Sequence, residues 1–381
     1  MTGPLDALTA AGVSIWLDDL SRARLDGGEL ARLVAECRVT GVTTNPTIFA
    51  AAVAAGDLYD EQLRELAARP VTVDEALRQL TTDDVRAAAD VLRRVYDDSG
   101  GRDGYVSIEV DPRLAHETER TVAEARVLWE QVDRPNLFVK IPATPAGLPA
   151  ISTCLADGIN INVTLIFGLN RYDQVIDAFL EGMEAAHRTG HGLSHIASVA
   201  SLFVSRLDTA VDALLDGLAT AKARHLRGKA ALANAHLAAE HHRRAFSSDR
   251  WVALAAAGAR PQRLLWASTG VKDPAYDDTR YVTGLVTTDT IATMPEATLR
   301  AVAHHGRITG DTVLGRRAEQ AHRVLSALAG LGIRYAEIVR QLEDDGVAAF
   351  EASWDRLSGQ VADKLDRFRA TAHHASPTRR G

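Results

Sequence analysis

Lys140 is the one charged side chain in the apolar run Leu137-Phe138-Val139-Lys140-Ile141-Pro142-Ala143-Thr144. Burying an ammonium group is costly unless it is paired or made neutral. Desolvation and a nearby cation both lower a lysine's pKa and free the amine as a nucleophile. Such an amine condenses with a carbonyl to a Schiff base, an electron sink through which carbon–carbon bonds are made or broken. The other reading is a strand-end lysine that snorkels to solvent or pairs with a carboxylate. What else faces the same space decides between the two.

The elements around Lys140 are short β-rich runs separated by longer helical stretches. Candidate strands lie at 14–20, 42–45, 105–110, 137–143, 160–167, 195–199, 263–269 and 282–287. Helical patterns fall at 28–37, 57–68, 82–96, 117–131, 171–188, 205–224 and 229–245. The stretch 295–370 reads as almost wholly helical, with breaks near 306–312 and 330–332. Such interleaving argues for parallel βα units. The seventh-to-eighth connection is too short for a full crossover helix, which is the weak point in the count.

Alternation within the strands locates the polar residues. Side chains in a strand point to opposite faces with a period of two. Ile15 and Leu17 then oppose Ser14, Trp16 and Asp18, and Val106, Ile108 and Val110 oppose Ser107 and Glu109. Leu137, Val139 and Ile141 oppose Phe138 and Lys140; Ile161, Val163 and Leu165 oppose Asn162 and Thr164. An open doubly wound sheet buries both faces under helices and would reject such polar residues. A (β/α)₈ barrel accepts them, because its inner face can turn polar at the C-terminal mouth. The expected fold class is therefore α/β, a TIM barrel with extra helices and a long helical C-terminal region.

Composition narrows the function classes. The 381 residues are 46% hydrophobic and 24% charged, with mean hydropathy -0.08, as in ordinary globular proteins. Net charge is -7, from 43 basic and 50 acidic residues, so the basic excess of a nucleic-acid binder is missing. Cys37 and Cys154 stand in unrelated contexts and read as reduced thiols. No apolar run approaches the ~20 residues of a membrane span, and residues 1–11 lack the layout of a signal peptide. A cytoplasmic protein without membrane or nucleic-acid partners is expected. No linker-like segment interrupts 1–370, which reads as one domain, and 371–381 reads as a disordered tail. His236 and Glu240 share a helix face, but without a third ligand they read as a solvated surface, so no metal site is expected.

Six motifs together resemble the transaldolase family, in that family's order. They are Thr43-Thr44-Asn45-Pro46-Thr47, Ser107-Ile108-Glu109-Val110-Asp111, Val139-Lys140-Ile141-Pro142-Ala143-Thr144 and Asn160-Ile161-Asn162-Val163-Thr164-Leu165-Ile166-Phe167, with two more typical of a longer bacterial and plant-like branch. Those two are Trp16-Leu17-Asp18-Asp19-Leu20-Ser21-Arg22 and Trp266-Ala267-Ser268-Thr269-Gly270-Val271-Lys272, so the resemblance runs from about 13 to 299.

The resemblance implies a class I aldolase barrel that uses no cofactor. The implied reaction moves a dihydroxyacetone unit between phosphorylated sugars of the non-oxidative pentose phosphate pathway. Sedoheptulose 7-phosphate with glyceraldehyde 3-phosphate, and fructose 6-phosphate with erythrose 4-phosphate, are the implied substrate pairs. By resemblance Lys140 is the Schiff-base nucleophile and Asp18 the base for the donor's C4 hydroxyl. Asp19 is the neighbour that a one-residue shift would substitute, but alternation turns it outward. Glu109 would work through a water that Thr164 helps hold, and Asn45 and Asn162 would bind donor hydroxyls. Ser201 and Arg206 would bind phosphate at the opening of a helix, Phe203 would line the pocket, and Ser268 would follow the next strand. Many members carry an arginine two residues after that serine; here Gly270 stands there, and Lys272, the nearest cation, takes the expected role. Two rivals stay open: a Schiff-base aldolase releasing free dihydroxyacetone, and a non-catalytic barrel that binds sugar phosphates. Whether the C-terminal helices cap the barrel or build an interface, and so whether the chain is a monomer or a homodimer, is not readable from periodicity.

Overall fold

A computed structural model describes residues 3–375. Eight strands close a barrel in chain order: β1 (Ser14–Asp18), β2 (Val39–Thr43), β3 (Tyr105–Glu109), β4 (Leu137–Pro142), β5 (Ile161–Ile166), β6 (Ser198–Phe203), β7 (Arg263–Ala267) and β8 (Ile291–Met294). Every neighbouring pair is parallel, and β8 returns to β1 with Ser14 opposite Ile291. The expected (β/α)₈ barrel is the observed one.

Alternation sorts the strand residues into two cores. Ile15, Leu17, Val106, Ile108, Val139 and Ile141 belong to the large core beneath the helices. Trp16, Tyr105, Phe138, Val199, Leu265 and Ile291 form a separate cluster that fills the barrel. Tyr105 stacks on Phe138 with ring centroids 4.3 Å apart, and Trp16 lies 6.1 Å from Phe138. That aromatic plug depends on Gly41 in β2. A Cβ there would sit 2.4 Å from the Trp16 ring, inside any tolerable contact, and such overpacking costs about 1–3 kcal/mol. Below the plug, Asp103 accepts a 2.7 Å hydrogen bond from the Ser14 hydroxyl and pairs with Arg263 at 3.2 Å. The barrel is closed at one end and polar at the other.

Three strands fall elsewhere than expected. The run 282–287 is not a strand: Arg280–Thr283 is a short helix, and β8 lies further on, at Ile291–Met294. Val282, Leu285 and Val286 are buried at helix-like spacing, so their apolar character reflects packing against the core and not a ladder. The shift also lengthens the seventh connection that had looked too short. β2 ends at Thr43, so Asn45 belongs to the following helix Pro46–Ala54, whose first turn it caps by accepting from the Ile48 N–H at 3.0 Å. β6 begins later than 195–199 and runs through Phe203, which brings Ser201 and Phe203 onto the strand itself.

A further departure lies in β5. Leu165 does not share a face with Ile161 and Val163. Its φ of 59° breaks the strand's register against β6 and turns its side chain to the inner cluster, while Ile166 takes the outer place. A bulky residue in the left-handed region costs roughly 1–2 kcal/mol, and nothing in residue type announces it.

The C-terminal helix Tyr335–Ala375 runs unbroken across the mouth. It therefore includes 371–375, part of the expected disordered tail; 376–381 lie outside the described residues. It is tied to the helix Pro46–Ala54 by a 2.8 Å bond between the Ser353 and Thr47 hydroxyls. A Lys364–Asp60 ion pair at 2.6 Å ties it to the next helix, Asp60–Ala67. Among the described residues no helix is long and apolar enough to cross a membrane.

Candidate active site

The polar ends of the strands converge on a cavity of about 570 Å³ at the barrel mouth, lined among others by Asp18, Asn45, Lys140, Thr164, Ser201 and Lys272. Arg206, Phe203 and Ser268 also reach it. Lys140 is only 4% exposed. Its Nζ lies 2.6 Å from Glu109 Oε1, on the adjoining strand, and donates a 2.9 Å hydrogen bond to the Thr44 carbonyl. The contact with Glu109 is a close ion pair without the angle of a directed hydrogen bond. Glu109 carries both carboxylate oxygens, and Thr164 its hydroxyl, without a hydrogen-bond partner among the described residues.

These unpartnered oxygens border a second space. Glu109, Lys140 and Thr164 line a void of about 10 Å³, together with the apolar Leu165, Val347 and Phe350. That is about the volume at which a cavity accepts one water. The polar groups supply the two or more partners such a water needs.

Burial shapes the acid–base character of the site. Glu109 is pushed up to about 7, chiefly by desolvation, with the attraction of Lys140 pulling the other way and the charge of Asp18 adding to the rise. Desolvation also raises Asp18 above its ordinary value, while Lys140 and a hydrogen bond from Thr43 oppose the rise. The Thr43 hydroxyl donates to Asp18 Oδ1 at 2.7 Å and meets the Thr293 hydroxyl at 2.7 Å. Asp19 is not turned wholly outward as alternation predicts, for it also borders the cavity, but it is not free to take this place. Its carboxylate is engaged by the buried Arg24 at 2.7 Å, and Arg24 also reaches Glu296 at 2.7 Å.

Two polar side chains are held in line on adjoining strands. Asn162 donates to the Ser107 hydroxyl at 2.9 Å and accepts from the Ser201 hydroxyl at 2.7 Å. Ser201 is thus bonded inside the barrel wall. The helix Ser205–Leu218 does open at this rim, but its first N–H groups are partly spent. Val204 and Ser205 donate to the carbonyls of Ala267 and Ser268, at 2.9 and 3.2 Å. The positive end of this helix therefore offers an anion less than the sequence suggests, and cationic side chains carry more of the attraction. Ser268, at φ 54°, is bonded through its hydroxyl to Ser205 at 3.0 Å. Lys272 is exposed, yet its ammonium lies 3.9 Å from the point where a Cβ on Gly270 would be.

Nine of the eleven expected residues line the larger cavity; Glu109 lies behind Lys140 on the void, and Asn162 lines neither space, being bonded between Ser107 and Ser201. Sequence reasoning assigned no part to Thr43, Thr44 or Phe350. The two threonines sit inside a motif already singled out, and their neighbourhood to Asp18 and Lys140 follows from strand adjacency. Phe350 comes from a helix whose docking no local pattern encodes. His236 and Glu240 face different partners: the half-buried His236 ring meets the Gly284 carbonyl at 3.4 Å, and Glu240 lies 3.8 Å from His322.

Comparison with known proteins agrees with this geometry. Residues 15–361 match the family described as transaldolase/fructose-6-phosphate aldolase. The chain is 58% identical to the transaldolase of Frankia alni over 367 residues, 96% of this chain and 99% of the relative. It is 60% identical to the transaldolase of Thermobifida fusca over 366 residues, 96% of this chain and 99% of the relative. With transaldolase 1 of Streptomyces coelicolor it shares 59% over 364 residues, 96% of this chain and 95% of the relative. A closed parallel barrel with a buried lysine on β4 and likeness of this extent leave one assignment: the chain belongs to the transaldolase/fructose-6-phosphate aldolase family.

Proposed function

We propose that the chain acts as a transaldolase, moving a dihydroxyacetone unit between phosphorylated sugars of the pentose phosphate pathway through a Schiff base on Lys140. The observation that carries the reading is the 2.6 Å contact of Lys140 with Glu109 beside a void of one-water size, at the foot of the cavity that Asp18 lines. The amine adds to the donor's C2 carbonyl, and Glu109 moves protons through a water of the size the void accepts as the carbinolamine loses hydroxide and becomes the iminium. Asp18 takes the C4 hydroxyl proton as the C3–C4 bond breaks, leaving an enamine that an acceptor aldehyde then captures. Asn45 and Asn162 hold the donor's hydroxyls. Incubation with fructose 6-phosphate and erythrose 4-phosphate yields sedoheptulose 7-phosphate and glyceraldehyde 3-phosphate. Rapid production of free dihydroxyacetone without an acceptor would instead assign the aldolase activity.

A carboxyl group near pH 7 suits a residue that must both give and take a proton. As pH falls through about 7, Glu109 gains a proton and can no longer accept one. The acidic limb of the kcat/KM profile is therefore expected near pH 7. In Glu109→Gln that limb disappears and the plateau drops by about 10²–10⁴-fold; a limb that stays in place would assign it to another group.

Arg206 and Lys272 flank the mouth and are proposed to hold the substrate phosphate, with Ser268 beside them. The closeness of the Lys272 ammonium to the Cβ position of Gly270 supports the transfer of the arginine's role. Lys272→Ala is expected to raise KM for fructose 6-phosphate about tenfold, the effect of losing ~1.4 kcal/mol of charge-assisted binding, with little change in kcat. An unchanged KM would give the phosphate to Arg206 alone.

A further inference from the structure

The C-terminal helix contributes one side chain to both cavities. Phe350 lines the substrate cavity and the one-water void behind it, and its ring centroid is 5.6 Å from Lys140 Nζ. It is 9% exposed. Val347, one turn earlier, lines the void as well. This helix and Leu165 of β5 thus supply part of the apolar wall of the void, the rest coming from Val110, Pro112, Ala115 and Pro142.

Local structure brings the helix down onto that wall. The left-handed turn at Leu165 presents its side chain toward the helix at Gly346, where even a Cβ would lie 3.1 Å from Leu165 Cδ2 and 3.3 Å from the Phe167 ring. A Cβ there would make Leu165 and Phe167 give by a few tenths of an ångström, so glycine eases this approach, and the helical spacing from Gly346 to Phe350 then sets the ring over Lys140. Outer anchors fix the register: Arg171 pairs with Glu343 at 2.9 Å, and Ser353 bonds Thr47 at 2.8 Å.

We propose that Phe350 is a specificity-determining residue, whose ring seals the void behind Lys140 and so commits the bound three-carbon unit to transfer instead of release. The proposal rests on the Schiff-base reading above. Forming the Schiff base frees one water, and hydrolysing it after transfer consumes one, so a void holding a single water suffices for a turnover. Premature release of the enamine also consumes one water. One of its hydrogens goes to C3, the other to the Lys140 nitrogen, and its oxygen becomes the C2 carbonyl of dihydroxyacetone as the C–N bond breaks. With the C4 proton held on Asp18 for the acceptor's oxygen, protonation of C3 must draw on further water, and an apolar ring lining both cavity and void keeps that water out.

The test uses the full chain with fructose 6-phosphate and no acceptor, following glyceraldehyde 3-phosphate and free dihydroxyacetone in wild type, Phe350→Ala and Phe350→Leu. Wild type releases about one glyceraldehyde 3-phosphate per active site and then slows. Phe350→Ala continues, with dihydroxyacetone release raised about tenfold relative to transfer, the change that ~1.4 kcal/mol makes between competing barriers. Phe350→Leu, which keeps most of the apolar wall, falls back toward wild type. Borohydride trapping on Lys140 is measured alongside. Release as slow as wild type in both variants, with trapping intact, overturns the proposal. Should the alanine protein not hold its fold, Phe350→Val, which also opens the wall, decides by the same ratio: a raised release ratio supports the proposal and a wild-type ratio with trapping intact overturns it. Absence of trapping in wild type would instead remove the Schiff-base reading itself.

Discussion

Lys140→Met yields a folded protein whose transfer activity is less than about one part in 10⁶ of wild type, the lower bound of typical enzymatic acceleration. The covalent route runs through the buried Nζ amine, and Lys272, the other amine bordering the cavity, is exposed at its mouth. Methionine preserves most of the side chain's volume, but it leaves Glu109 buried without its counter-charge. Removing one partner of a buried pair costs about 3–5 kcal/mol where the other stays ionised. Glu109 escapes that cost by keeping its proton, and losing Lys140 raises it beyond the present value of about 7. Because the folded form then binds a proton that the unfolded chain has shed, stability falls as pH rises above the ordinary glutamate range. The variant should match wild-type melting near pH 5 and fall behind it near pH 8. Substantial transfer by this variant, with melting intact, would contradict the chemistry proposed for the site.

Asp18→Asn separates two steps that wild type runs together. The substitution keeps the size of the side chain and a carbonyl oxygen able to accept from Thr43. It removes the base that takes the C4 hydroxyl proton. Schiff-base formation continues, because that step runs through Glu109 and Lys140. Cleavage slows by about 10²–10⁴-fold, the usual contribution of one positioned base. Quenched-flow trapping should find the intact donor, not the three-carbon fragment, bound to the enzyme. Cleavage at the wild-type rate would transfer the role to another group. Asp19, the other carboxylate bordering the cavity, is already paired with Arg24 at 2.7 Å.

Much of this arrangement is legible in the strand alternation. Asp18, Glu109, Lys140, Asn162 and Thr164 could be assigned to one lumen because each interrupts an aliphatic period of two, and a barrel is the architecture that gathers such residues. The positions that escaped did so for physical reasons. Leu165 breaks the period through a backbone angle that residue type does not announce. Val282, Leu285 and Val286 carry strand-forming character but meet the core from a turn and a short helix, where tertiary packing overrides propensity. Two N–H groups at the opening of the helix Ser205–Leu218 are spent on neighbouring carbonyls, which only the fold reveals. Phe350 belongs to a helix whose period is visible, yet its place above Lys140 depends on contacts with Leu165 and Thr47, far away in sequence.

The most direct test is borohydride reduction of the wild-type protein in fructose 6-phosphate, followed by peptide mass mapping. The account predicts one stable adduct per chain, on the peptide carrying Lys140, and none in Lys140→Met. An adduct on another lysine, or none on folded protein that binds the sugar phosphate, would contradict it.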